Sequence, residues 1–185
     1  MLYLVLRKRG IITLLKKDTN QMFEELYHLQ NCEMAMGIYY QQLAEHYPGD
    51  KMFWEEAIGD MVNQARRVGE LISRFASNPD VYKPGKYRVA VLETFLSGVY
   101  EHVHLIEKKG LTPNEMLRIA FDYESSAIMN KPYDIIDSLE RNFVQFKTKF
   151  TEEVAEHTVR VRQYIEQKLG IQAKASSVRI NPLSA

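Results

Sequence analysis

The sequence predicts an all-α fold: four long amphipathic helices packed side by side, with one long crossover between the second and third that carries an extra helix. Three observations predict it. Apolar residues recur in alternating steps of three and four along most of the chain, the spacing of a single helix stripe. Breakers fall at few places, Pro48-Gly49-Asp50, Asn78-Pro79, Pro84-Gly85, Gly110 and Lys131-Pro132, with long unbroken stretches between them. Thr112-Pro113-Asn114-Glu115 has the form of a helix start, with Thr at the cap, Pro at the first position and Glu three after the cap.

Residues 1–17, MLYLVLRKRGIITLLKK, alternate apolar blocks with Arg7-Lys8-Arg9-Gly10. The apolar run is too short to span a bilayer and lacks the order of a signal peptide. We expect an N-terminal extension over 1–19 that docks on the helices or on a neighbouring subunit. Contact with a membrane surface is the alternative. Asp18-Thr19-Asn20 then offers caps for the first long helix. On that helix Leu26, Leu29, Glu33, Met36, Tyr40, Leu43 and Tyr47 form one stripe. After the turn at Pro48, Trp54, Ala57, Met61, Gln64, Val68, Leu71 and Phe75 repeat the rhythm. Residues 87–108 read as the crossover helix, with Val91, Phe95, Val99 and Val103 at four-residue steps and Leu92 and Leu96 beside them. The third core helix is expected over Thr112 to Asn130, with the stripe Leu117, Ala120, Glu124 and Ala127. The fourth is expected over Asp134 to Leu169, with Phe143, Phe146, Phe150, Val154, His157, Val161 and Tyr164. The core domain is thus expected over 20–169. From Gly170 to residue 185 the tail is small and polar without a helical period, and is expected to be flexible.

Composition narrows the function. The 185 residues carry 24 basic and 24 acidic side chains, a formal net charge of zero, which argues against a nucleic-acid partner. One cysteine, Cys32, rules out an intrachain disulfide and a cysteine-rich zinc site, and fits a reducing, cytoplasmic setting. Its expected role is that of a small buried apolar residue. There is no Gly-rich phosphate loop, no Gly-x-Ser-x-Gly and no Cys-x-x-Cys. His102 and His104 diverge on a helix and cannot share a metal. His28 and His46 flank the first stripe and are expected at the surface.

The polar members of the stripes carry the functional question. Glu33, Gln64, Glu124 and His157 each sit in a seam that is otherwise apolar. A carboxylate there is costly unless paired, protonated or bound to a metal. Glu33 followed by Tyr39-Tyr40, then Phe53-Trp54, Ala57-Ile58-Gly59-Asp60 and Asn63-Gln64-Ala65, resembles the first helix pair of ferritin-like proteins of the rubrerythrin type. Ala120-Phe121-Asp122-Tyr123-Glu124-Ser125 and Glu156-His157 resemble the second pair. The resemblance covers residues 20 to 168 and rests on the order and placement of short motifs.

That resemblance implies a carboxylate-bridged dimetal site with a Glu from each of two helices and a Glu-x-x-His pair from each of the others. Its six ligand positions fall here on Glu33, Met61, Gln64, Glu124, Val154 and His157. Glu33, Glu124 and His157 are competent, Gln64 offers a weak amide oxygen, and Met61 and Val154 are poor ligands for a hard ion. Three readings stay open. Glu33, Glu124, His157 and Gln64 hold one ion, iron or else manganese or zinc. Or no metal binds, and a protonated His157 bridges the two carboxylates. Or Glu153 and Asp60 substitute and restore a pair of ions. Tyr39, Tyr40, Tyr47 and Tyr123 are expected near the centre, as packing or as carriers of hydrogen bonds or electrons.

Two function classes follow from the resemblance. One is a metal-handling protein with oxidase, peroxidase or iron-storage chemistry, a non-haem iron oxidoreductase with an unspecified redox partner. The other is a metal-free scaffold used for assembly or partner binding. A homodimer is expected in both, with no integral membrane span.

Overall fold

Residues 2–46 contain no proline, and in the computed structural model of the chain they form one helix, α1 (Leu2–His46). The structure describes residues 2–170, with side chains from Asp18 onward. The expected caps Asp18, Thr19 and Asn20 lie inside α1, so the helix does not start there. Such residues cost only about 0.5 kcal/mol each in a helix interior, and an unbroken backbone ladder outweighs that. No break in the backbone marks the expected boundary at residue 19. The expected docking of residues 1–17 concerns side chains outside those described, and the expected flexible tail beyond Gly170 also lies outside them.

A short 3-10 turn at Pro48–Asp50 reverses the chain into α2 (Lys51–Ser77). All seven residues of the predicted α2 stripe are buried, joined by Ala65 and Ile72. α1 and α2 pack along their length, and at Gly37 a Cβ would sit 3.5 Å from Cβ of Met61, an ordinary contact. Gln30 Nε2 donates to the Ala65 carbonyl at 3.0 Å across the same seam. Six of the seven predicted α1 stripe residues are fully buried. Tyr47 is the exception; it follows the helix in the turn and is half-buried.

α2 ends where Asn78 precedes Pro79 and is driven out of helical geometry. A second 3-10 turn leads to β1 (Tyr82–Pro84) and then to α3 (Val89–Glu107), the expected crossover helix. α3 packs on α1, where Cys32 Sγ meets the Leu92 carbonyl at 3.6 Å. Val91 is a correction: it is 49% exposed, and Leu92, Phe95, Val99, Val103 and Ile106 form the buried face. Lys109, at φ 56°, and Gly110 close the helix through bonds from their N–H groups to Ile106 and Leu105.

α4 (Pro113–Ser125) starts with the predicted capping box, both halves of which form between Thr112 and Glu115. The third core helix was expected to run unbroken to Asn130. Instead Ser126 is extended and caps a separate short helix, α5 (Ala127–Asn130), through Met129 N–H. The fourth helix is shorter at its start than predicted. Residues 132–138 form a 3-10 turn and β2 (Ile136–Ser138), and α6 runs over Arg141–Leu169. β2 pairs antiparallel with β1, Lys83 opposite Asp137. Gly85 lies against the neighbouring turn so tightly that a Cβ would sit 2.0 Å from the Asp134 carbonyl oxygen. α6 ends at Gly170, which adopts the left-handed conformation expected of a helix C-cap.

The chain is therefore mostly helical, with one tiny ribbon tying the α2–α3 connection to the start of α6. α1, α2, α4 and α6 enclose an interior filled by Trp54, Tyr39, Tyr40, Phe75, Phe143 and Phe150, all fully buried. Each such aromatic contributes roughly 1.5–3 kcal/mol by leaving water. Among the described residues, no helix is long and apolar enough to cross a membrane.

Candidate functional site

Four helices each bring one polar side chain into this dry interior. Glu33 comes from α1, Gln64 from α2, Glu124 from α4 and His157 from α6. Glu33 and Glu124 are wholly buried, and Gln64 and His157 are 3% exposed. The helix stripe explains each placement: Glu33 lies between Leu29 and Met36, His157 between Val154 and Val161, all of them buried.

Glu124 and His157 are the connected members of the four. Tyr40, one seam position beyond Met36 on α1, donates its hydroxyl to Oε1 of Glu124. The same Oε1 lies 3.4 Å from His157 Nε2, an ion-pair contact not aligned as a hydrogen bond. On its other side His157 meets Asp60 Oδ2 through Nδ1 at 2.9 Å. Asp60 is half-exposed and is also held by Arg160, which in turn pairs with Glu56. A continuous polar chain thus runs from Tyr40 through Glu124, His157 and Asp60 to the surface. An imidazole fixed by an outer carboxylate, with its other nitrogen facing inward, is the usual support for a ligating histidine.

Six buried polar atoms of the four residues lack a hydrogen bond. Both oxygens of Glu33, Oε2 of Glu124, Nε2 of His157 and both amide atoms of Gln64 are buried without a hydrogen bond. Buried polar groups left so are costly, and an ion or water is the ordinary remedy. Burial raises the Glu33 carboxyl from 4.5 to about 8; the His157 charge opposes this rise and the Glu124 charge adds to it. Burial alone would lower the pKa of His157. Its contacts with Asp60 and Glu124 outweigh that and carry it from 6.5 up to about 9. Burial also drives Tyr40 well above its usual range, aided by the adjoining Glu124 carboxylate. At neutral pH the protein alone therefore holds a neutral Glu33 beside a cationic His157.

The six positions given by the resemblance are thus largely inward, but only part of the set has donor atoms. Met61 and Val154 are buried apolar residues. Glu153 does not reach the centre; Arg67 holds it at 2.6 and 3.0 Å on the α2–α6 surface. Among the described residues, no group of three or more His, Cys, Asp or Glu side chains is arranged to hold a metal ion as it stands. The unpartnered atoms of Glu33, Glu124 and His157, with Gln64, include too few carboxylates to hold two ions.

Of the tyrosines expected here, Tyr40 joins the centre. Tyr39 instead donates to the Met116 carbonyl at 2.9 Å, and Tyr123 contacts Nδ1 of the half-buried His102 at 2.6 Å. His104 and His46 are exposed; His28 is half-buried and faces Glu93. Cys32 is wholly buried, and burial pushes its thiol up to about 12, as suits a packing residue. Sequence reasoning missed the roles of Asp60 and Arg160 in positioning His157. The signal was present: His157 and Arg160 are three apart, so both face the same residue across α2.

Compared with protein-family models, with curated proteins and with solved structures, the chain matches none of them.

Proposed function

We propose that α1, α2, α4 and α6 constitute a ferritin-like four-helix bundle of the rubrerythrin type, with α3 in its crossover, and that its centre binds a single divalent metal ion. Glu33, Glu124 and His157 are the ligands, with Gln64 as a weak fourth. One observation carries this reading: four buried side chains from four helices keep polar atoms that lack a hydrogen bond. The oxygen-rich set suits iron or manganese, with zinc as the further candidate. Bound iron would supply oxidase or peroxidase chemistry, or be held as stored cargo. The protein's own share is to keep the site dry, to fix the His157 ring through Asp60, and to hold a proton at Tyr40 beside Glu124.

The homodimer and the cytoplasmic setting belong to the same proposal. Tyr27, Met34 and Ile38 leave apolar surface on the outer side of α1, which supports a second copy as neighbour.

A second reading has its own observation. Tyr40, Glu124, His157 and Asp60 already satisfy part of one another, and among the described residues no three acidic or histidine groups close into a ligand set. On that reading the centre is a metal-free polar core and the chain serves assembly or partner binding. Metal analysis of full-length protein purified without chelator separates the two. Metal near one ion per chain, lost in Glu33→Ala and reduced in the isosteric Glu33→Gln, supports the metal site. Metal absent from the wild-type chain, after incubation with iron, manganese and zinc in turn, supports the scaffold.

A further inference from the structure

Between α2 and α6 the surface opens into a cleft of about 240 Å³ lined by Asp60, Asn63, Gln64, Arg66, Arg67 and Glu153. Two of these residues belong to the centre. Asp60 holds His157, and Gln64 is one of the four inward polar side chains. The Gln64 amide is out of contact with solvent although the residue lines the cleft. Arg67 and Glu153 bridge α2 to α6 as a two-pronged pair, Nε to Oε2 at 3.0 Å and a terminal guanidinium nitrogen to Oε1 at 2.6 Å. Arg66 is drawn aside to Glu70 at 2.6 Å. The lining therefore carries two carboxylates against two guanidiniums, and no net charge to concentrate an ion of either sign.

We infer that this cleft is the port by which a small uncharged solute reaches the bundle centre, and that the Arg67–Glu153 pair is the gate that closes it over Gln64. A surface ion pair by itself contributes little. This one is set apart by where it sits: it lines the same cleft as a buried amide with an unused donor and an unused acceptor, and as the residue that positions the histidine. The port gains a purpose from the metal-site reading above, but its test needs no metal.

The test places a thiol at the floor of the cleft with Gln64→Cys and measures its modification by methyl methanethiosulfonate, a neutral reagent, by mass spectrometry. The sulfonatoethyl and trimethylammonioethyl reagents serve as anionic and cationic counterparts. Cys32, wholly buried away from the cleft, is the internal reference, and Met61→Cys, buried one turn earlier, is the control for general breathing. The neutral reagent is expected to react at the Gln64→Cys thiol faster than at Cys32 or in Met61→Cys. Adding Glu153→Ala is expected to speed that reaction by up to about fivefold, the factor that goes with losing one partly exposed ion pair. The charged reagents are expected to lag the neutral one. Exchange of the Gln64 side-chain amide protons, read by NMR in the otherwise unaltered chain and in Glu153→Ala, gives a second readout that needs no cysteine. Equal rates with and without Glu153, equal rates in Met61→Cys, or a faster charged reagent would each overturn the inference. A chain that binds no metal yet shows the gated rates keeps the port and loses only the metal reading.

Discussion

Replacing Glu33 by glutamine tests the charge state of the interior directly. In the metal-free protein Glu33 keeps its proton to about pH 8, against 4.5 for an ordinary glutamate, chiefly because it is wholly buried. Its folded-state pKa is raised. Its contribution to stability is therefore fully present below about pH 4.5 and is lost as pH rises toward 8. Each pH unit in that window removes up to about 1.4 kcal/mol, so the loss amounts to a few kcal/mol by pH 8. Glutamine has the shape of the protonated acid and never ionises. His157 is raised as well, to about 9, so its contribution is present below 6.5 and fades through 9 in both proteins. Asp60 is lowered: burial opposes this, and its contacts with His157 and Arg160 prevail, so its window lies below pH 3.8 and outside the experiment. Urea melts from pH 5 to 9 in the presence of a chelator should show the wild-type midpoint falling with pH. The Glu33→Gln midpoint should fall less and overtake the wild type by pH 8.5. Parallel curves, or a variant weaker than the wild type at pH 8.5, would refute the placement of Glu33 as an unpaired acid in a dry interior.

Three further outcomes follow from contacts already described. Tyr40→Phe removes the hydroxyl that donates to Glu124 and leaves a buried carboxylate short of a partner; it should lower stability by roughly 1–3 kcal/mol in denaturant melts. Gly85→Ala places a methyl 2.0 Å from the Asp134 carbonyl oxygen, so the turn beside the ribbon must shift; a loss of roughly 1–3 kcal/mol is expected, with increased hydrogen exchange at Ile136–Ser138. On the proposed metal site, supplying the missing carboxylates with Met61→Glu and Val154→Glu together should raise bound metal above the wild-type level and toward two ions per chain, measured by elemental analysis.

Much of the helical framework was legible because it rests on local periodicity. The α2 stripe is buried at every predicted position, and the Thr112 cap forms as read, since both depend on neighbours within one or two turns. The misses share a different cause. Residues 136–138 carry no strand signal of their own; they are extended because Tyr82–Pro84 pairs with them across more than fifty residues of chain. That pairing is also why α6 starts at Arg141 rather than near Asp134. Ser126 breaks the third helix through a side-chain cap that competes with helix continuation, a contest that sequence alone leaves balanced. At the candidate site, burial of Glu33, Gln64, Glu124 and His157 was legible from the stripes. The connections among them were not, since Tyr40 to Glu124 and Asp60 to His157 each join separate helices.

Anomalous diffraction from crystals of the full chain grown with iron or manganese would locate the proposed ion. One peak per chain is expected where Glu33, Glu124 and His157 meet, with ligand distances of about 2.0–2.3 Å. Interior density without a peak, with Glu33 still unpartnered, would contradict it.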